Sequence, residues 1–203
     1  RNTQAYVDFF RRHRVRVVNM SFGGSVGGVE GQLEQCGIGA NADERRKIAR
    51  EWFDVGKDAF VKAMASAPEV LFVAAAGNEN ADSSFAESIP ADIVLPNLIT
   101  VGAVDKAGDE APFTSYGKTV VVHANGYLVD SVIPGGERLA VSGTSMSAPQ
   151  VTNLAAKILA VNPALTPPQV IAIIRETAEK TADGRRVLIH PRKAIAAAQA
   201  KQG

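Results

Sequence analysis

Ser145 stands in Gly143-Thr144-Ser145-Met146-Ser147-Ala148-Pro149, among small residues at the start of an apolar-periodic segment. Val151, Leu154, Ala155, Ile158 and Leu159 recur behind it at helical spacing, and Asn162-Pro163 closes the run. A serine at a helix N-terminus meets free backbone N–H groups and the positive end of the helix dipole, which favour developing negative charge. A nucleophile whose intermediate is an oxyanion needs that setting. The second candidate group is Asn78, in Val73-Ala74-Ala75-Ala76-Gly77-Asn78-Glu79-Asn80. Ligands of open α/β sheets bind beyond the carboxyl ends of the strands, so an amide at this strand end emerges where chemistry is expected. One donor aimed at a tetrahedral oxyanion is worth about 3 kcal/mol of transition-state stabilisation. Gly-Asn after a strand is also ordinary turn chemistry.

The elements that position these groups can be read from the apolar pattern. Four continuous runs suit strands covered on both faces: Val15 to Met20, Val70 to Ala76, Leu98 to Val104 and Thr119 to Ala124. Helical spacing appears over residues 3–13 (Ala5, Tyr6, Phe9, Phe10) and 42–65 (Ile48, Trp52, Phe53, Phe60, Val61, Met64). The serine helix runs to about Val161. Thr166-Pro167-Pro168 opens another helix with a threonine cap and prolines in its first turn, and Pro191 starts a last alanine-rich one. This alternation predicts a layered α/β domain with a mostly parallel sheet. Seven glycines between Gly23 and Gly39 break any period, so residues 23–41 read as a surface loop.

Bulk properties set the class. The 203 residues are 46% hydrophobic and 21% charged, with a formal net charge of +1, as expected of one globular domain with a real core. That balance gives no reason to expect nucleic acid or a membrane surface as partner. The early arginines Arg11, Arg12, Arg14 and Arg16 read as a solvated helix end and strand entry. The longest apolar run is far short of the ~20 residues that span a bilayer. Cys36 is alone, so no internal disulfide forms. Asp82, Asp92, Asp105 and Asp109 supply oxygen ligands but no calcium-loop spacing, so neither metal nor cofactor is expected, with structural calcium left open.

The two motifs together resemble the subtilisin-like serine proteases, or subtilases, whose nucleophile stretch reads Gly-Thr-Ser-Met-Ala followed shortly by Pro. Ala75 to Asn78 matches that family's oxyanion strand residue for residue. Val17-Val18-Asn19-Met20-Ser21-Phe22-Gly23-Gly24 resembles its Asn-Met-Ser-Leu-Gly-Gly strand end. Ile99 to Asp105 and Phe113-Thr114-Ser115-Tyr116-Gly117 follow in the family's order. The resemblance covers nearly the whole chain except residues 24–45, which look like a surface insertion, and corresponds to roughly the C-terminal two-thirds of the catalytic domain.

The resemblance implies a three-layer α/β/α fold lacking its N-terminal strands, with Ser145 as nucleophile and the Asn78 side chain as oxyanion donor. It implies that Ser21, Phe22 and Gly23 pair with an extended peptide by β-augmentation. A pocket would be lined by Ala75, Ala76 and Gly77 opposite Phe22 and Gly23, with Ser88 at its base. Small walls predict a roomy, uncharged pocket. Ile89-Pro90 matches a family step that is commonly cis. Secretion or a periplasmic place is implied by resemblance alone.

The family's aspartate and histidine motifs have no match. His13 lies among arginines at a helix end, His123 at a strand end, and His190 directly before Pro191. None has the glycine-and-helix context of a general base, and a satisfied buried histidine explains His123 equally well. Gln150 and Asn153 replace the family's usual His and Gly. The simplest expectation is a chain that starts after the Asp and His segments and is inactive alone, pairing with that missing N-terminal part or self-associating through an exposed sheet edge. A non-catalytic module that binds extended peptides is the alternative. An α/β-hydrolase fits poorly, because Gly143-Thr144-Ser145-Met146-Ser147 lacks the second glycine of Gly-x-Ser-x-Gly.

Overall fold

In the computed structural model, which describes residues 3–83, 85 and 87–201, helices and strands alternate along most of the chain. The order is α1 (Thr3–Arg12), β1 (Val17–Met20), β2 (Gly24–Ser25), α2 (Val26–Gln35), α3 (Ala42–Ala65), β3 (Leu71–Ala75), β4 (Ser88–Ile89) and β5 (Leu98–Val104). There follow β6 (Val120–Asn125), β7 (Val129–Val132), β8 (Arg138–Val141), α4 (Thr144–Val161), α5 (Pro167–Thr177), β9 (Glu179–Lys180), β10 (Val187–Leu188) and α6 (Pro191–Ala200). The central sheet runs β1-β3-β5-β6-β10-β9, parallel throughout except for the last pair.

Each side chain of β3 points opposite to its neighbours, and this alternation divides the core into two layers. Leu71, Val73 and Ala75 pack with Val151, Leu154, Ile158, Ile173 and Ile174, beneath α4, α5 and α6. Phe72 and Ala74 face the other way, onto Val7 of α1 and Ala63 and Met64 of α3. The result is the three-layer α/β/α arrangement. Fully burying each large side chain is worth about 1.5–3 kcal/mol, so both helical layers are anchored through one strand. Asn97 joins layers by hydrogen bonds: its Nδ2 group faces the carbonyls of Met64, Ala67 and Val70 at 3.0, 3.0 and 3.1 Å, satisfying the end of α3 and the turn into β3.

The expected helices 42–65 and 144–161 and the strand 98–104 appear with those bounds. Thr166 and Gln169 form the capping box that starts α5, and the Ile89–Pro90 peptide is cis. The expected surface loop over residues 23–41 is corrected: it contains β2 and the ten-residue α2. Ser25 caps α2 by accepting the Gly28 N–H at 3.1 Å, and Leu33 is buried where α2 packs on α3. Val26, Val29 and Leu33 are spaced for one helical face, but the intervening glycines hide that period. Tertiary burial outweighs their poor helix propensity. The hairpin β7–β8, closed across its neck by the Gly143 N–H donating to the Gly126 carbonyl at 2.8 Å, is a further element the sequence pattern did not signal.

Candidate active site

The strand ends β1 and β3 and the N-terminus of α4 converge at one edge of the sheet. Gly143 makes no side-chain cap for α4; the Thr144 N–H goes to Asn78 and the Met146 N–H to the Gly143 carbonyl at 2.9 Å, while the Ser145 N–H has no intrahelical acceptor. Gly126 lets the chain come this close: a Cβ there would lie 2.3 Å from Ser147 Oγ, 2.7 Å from Ala103 Cβ and 2.8 Å from the Gly143 carbonyl. The Ser145 hydroxyl donates to the Ser21 carbonyl at 3.4 Å. In return the Ser21 hydroxyl donates to the Ser145 carbonyl at 2.8 Å. Asn19 orients Ser21, its Nδ2 donating to Ser21 Oγ at 2.9 Å.

Asn78 follows Gly77, whose positive φ of +108° turns the chain out of β3, and it is exposed. Its Oδ1 accepts from the Thr144 N–H at 2.8 Å and from the Thr144 hydroxyl at 2.9 Å. A backbone N–H can only donate, so the atom facing it is the amide oxygen and the flip of the side chain is fixed. Thr144 Oγ1 in turn accepts from the Gly77 N–H at 3.2 Å. Nδ2 therefore points away from this network and, among the described residues, donates to nothing. Asn78 and Ser145 line the same cleft of about 340 Å³.

The cleft brings together Phe22, Gly23, Ala75, Gly77 and Ser88 of the residues read from sequence. Ala76 lies elsewhere, buried on the wall of a smaller adjoining cavity of about 100 Å³ with Ser83, Ser115, Glu87 and Asp92. Among the lining residues that escaped the sequence reading are Gly28, Val29 and Gln32 of α2. Their signal was lost with the helix itself. The uncharged pocket is also corrected, because Glu79 forms part of the wall, its carboxylate accepting from the Ser115 hydroxyl at 3.3 Å. The expectation of an uncharged pocket rested on Ala75, Ala76 and Gly77 and gave no part to Glu79, two residues further on.

None of the three histidines bonds to Ser145. His123 is buried in β6, where its Nδ1 accepts the Val187 N–H at 3.2 Å, and burial pushes its pKa down. His190 caps α6, and the His13 ring stacks near Phe9 at the end of α1. Among the described residues, no group of three or more His, Cys, Asp or Glu side chains is arranged to hold a metal ion.

At the level of sequence families, the chain matches the Subtilase family over residues 1–193. It belongs to the subtilase family of serine proteases. Among relatives, subtilisin from Bacillus pumilus is 39% identical over 113 residues, which is 56% of this chain and 39% of that protein. Subtilisin E from Bacillus subtilis is 38% identical over 113 residues, 56% of this chain and 28% of that protein. The matched stretch thus spans well under half the length of these relatives. Among solved structures, a cold-adapted subtilisin-like serine proteinase superposes with a TM-score of 0.65 and 26% identity, covering 93% of this chain and 60% of the other. A protease from Pseudoalteromonas arctica gives 0.64 and 25%, covering 90% and 51%. The subtilase fold thus agrees with the layered architecture read from sequence.

Proposed function

We propose that this chain carries the nucleophile and oxyanion hole of a serine endopeptidase. The observation that supports it most is the fixed amide of Asn78, whose Nδ2, without a partner among the described residues, shares a cleft with Ser145 at the start of α4. In the reaction, Ser145 Oγ attacks a peptide carbonyl as its proton passes to a histidine base. The carbonyl oxygen becomes an anion held by the Ser145 N–H and by Asn78 Nδ2. The same donors persist while the acyl group waits on Ser145 for water. Ser21, Phe22 and Gly23 offer an edge against which an extended peptide pairs. The β1 strand, at the border of the sheet, supports a role for that face in association.

No histidine among the described residues reaches Ser145, so the base and its orienting aspartate are proposed to come from polypeptide outside these 203 residues. Alone, the chain retains at most the residual catalysis of an oxyanion hole and binding. The partners are then a peptide or protein substrate and that missing part, with self-association through the sheet edge as a further outcome. The family relation supports a secreted or periplasmic protein, and no described helix is long and apolar enough to cross a membrane. The second reading, a non-catalytic module that binds extended peptides, rests on the same absence of a nearby histidine.

The test is casein hydrolysis by the chain alone and by the complete polypeptide that contains it, each with a Ser145→Ala control. Activity only in the complete polypeptide, abolished by Ser145→Ala, supports the peptidase reading. Serine-dependent turnover at protease rates by the chain alone overturns the divided site. Activity that survives Ser145→Ala overturns the nucleophile.

A further inference from the structure

The sequence places a proline four residues after Ser145, inside α4. Pro149 has no N–H, so the Ser145 carbonyl loses the donor that an α-helix brings to it from the next turn. A proline ring in this place also crowds the carbonyl one turn back. That carbonyl needs a donor from elsewhere. Ser21, just past the end of β1, supplies it: the Ser21 hydroxyl donates to the Ser145 carbonyl at 2.8 Å. With its proton used there, the Ser21 oxygen must accept from its other neighbour, so the Asn19 atom at 2.9 Å is the amide nitrogen Nδ2. Asn19 Oδ1 is left to accept. The Thr152 hydroxyl, about two turns beyond Ser145 on α4, donates to it at 3.2 Å and shares its proton with the Ala148 carbonyl at 3.0 Å. The chain of bonds thus leaves α4 at Ser145 and returns to it at Thr152. On the other flank, Gln150 Nε2 donates to the Met146 carbonyl and to the Asn125 carbonyl at the end of β6. The turn that carries Ser145 is held from both strands.

We propose that Ser21 and Asn19 are positioning residues for the nucleophile: the Ser21 hydroxyl stands in for the helical N–H that Pro149 removes, and Asn19 with Thr152 keeps that hydroxyl aimed. The inference rests on the peptidase reading, which makes the exact place of Ser145 matter. Ser21 holds Ser145 twice, through its hydroxyl and through its carbonyl, which accepts the Ser145 hydroxyl at 3.4 Å. Both the backbone and the attacking oxygen of Ser145 are therefore referred to β1, and not to α4 alone. A misplacement of about 1 Å at a reacting atom costs on the order of 10²-fold in rate, so the loss of one such bond is felt in kcat. Ser21 also opens the edge proposed to pair with an extended peptide. The strand that receives the substrate is thus the strand that places the nucleophile. A serine that merely filled space at this point would not depend on residue 149.

The test is a double-mutant cycle between residues 21 and 149 in the complete polypeptide, read by hydrolysis of a chromogenic peptide. Ser21→Ala orphans the Ser145 carbonyl and should lower kcat roughly tenfold, with KM within about twofold of the parent. In the Pro149→Ala background residue 149 brings its own N–H, so the same Ser21→Ala change should cost less than about threefold. Asn19→Ala, at an exposed position, serves where Ser21→Ala does not fold and should lower kcat roughly threefold. An equal cost of Ser21→Ala in both backgrounds overturns the proposal. So does a rise in KM at unchanged kcat, which assigns Ser21 to peptide pairing alone, and so does an Asn19→Ala variant with parent kcat. The hydrogen bond is also read without turnover. Of the three methionines only Met146 follows a serine, so carbonyl carbon-13 serine with nitrogen-15 methionine isolates the Ser145–Met146 peptide in the 203-residue chain. Its carbonyl resonance should move upfield in Ser21→Ala and return toward the parent position in Ser21→Ala/Pro149→Ala. A resonance unmoved by Ser21→Ala overturns the proposal. If it moves and returns as expected while the complete polypeptide shows no Ser145-dependent hydrolysis, the stand-in for the helical N–H holds and the peptidase reading fails.

Discussion

Thr144 holds Asn78 from two sides, with its backbone N–H at 2.8 Å and its hydroxyl at 2.9 Å both donating to the one amide oxygen. Thr144, the residue before the proposed nucleophile, therefore sets the direction in which the Asn78 amide, the proposed oxyanion donor, points. Thr144→Val keeps the N–H and the shape but removes the hydroxyl, which also leaves the Gly77 N–H without its acceptor. Losing a hydrogen bond of this kind is worth about 1 kcal/mol. Peptide hydrolysis by the complete polypeptide should fall roughly fivefold in kcat with little change in KM.

Asn78→Ala deletes the donor outright. A single oxyanion donor contributes about 10²–10³ in kcat, so the variant should lose that much, with a modest fall in thermal midpoint because the Thr144 N–H and hydroxyl lose the acceptor that Asn78 Oδ1 provides. Steady-state kinetics beside a melting curve separates the two effects. A large drop in stability with unchanged kcat would assign Asn78 to the scaffold.

Asn97→Leu should destabilise the chain by about 2–3 kcal/mol in urea titration. The substitution leaves the carbonyls of Met64, Ala67 and Val70 facing an apolar group in a buried site, and each orphaned acceptor carries a desolvation penalty. Activity per folded molecule should be unchanged.

His123 makes stability pH-dependent. Burial lowers its pKa below the ordinary 6.5, so near that value the unfolded chain binds the proton more readily than the folded one. Glu110 opposes this effect and Arg186 reinforces it. Stability contributed by neutral His123 is then present above about pH 6.5 and is lost as pH falls through the folded pKa. The melting temperature should decline on acidification through that window, and His123→Gln should flatten this part of the profile.

Most of the site and fold was legible because the decisive residues act locally. Ser145 is placed by the start of its own helix and Asn78 by the end of its own strand, so motif and periodicity suffice. The uninterrupted apolar run Leu98 to Val104 has no alternative to a buried strand. What was missed depends on distant partners. Helix α2 exists because Leu33 finds α3 and Ser25 finds the Gly28 N–H, and neither is visible through Gly27, Gly28 and Gly31. The polarity of the cleft was missed for the same reason: Gln32 arrives from α2. Glu79 drew no reading of its own, because its place in the cleft wall depends on Ser115, which lies far along the chain.

The backbone bond between Gly143 and Gly126 ties the neck of β7–β8 without using a side chain from the hairpin. The tip, with Pro134, Gly135 and Gly136, lies at the far end of the hairpin from that tie. Chain length and sequence at that tip can drift, or accept a grafted loop, while the start of α4 stays where it is. The hairpin is thus a place where the chain can vary without moving the start of α4.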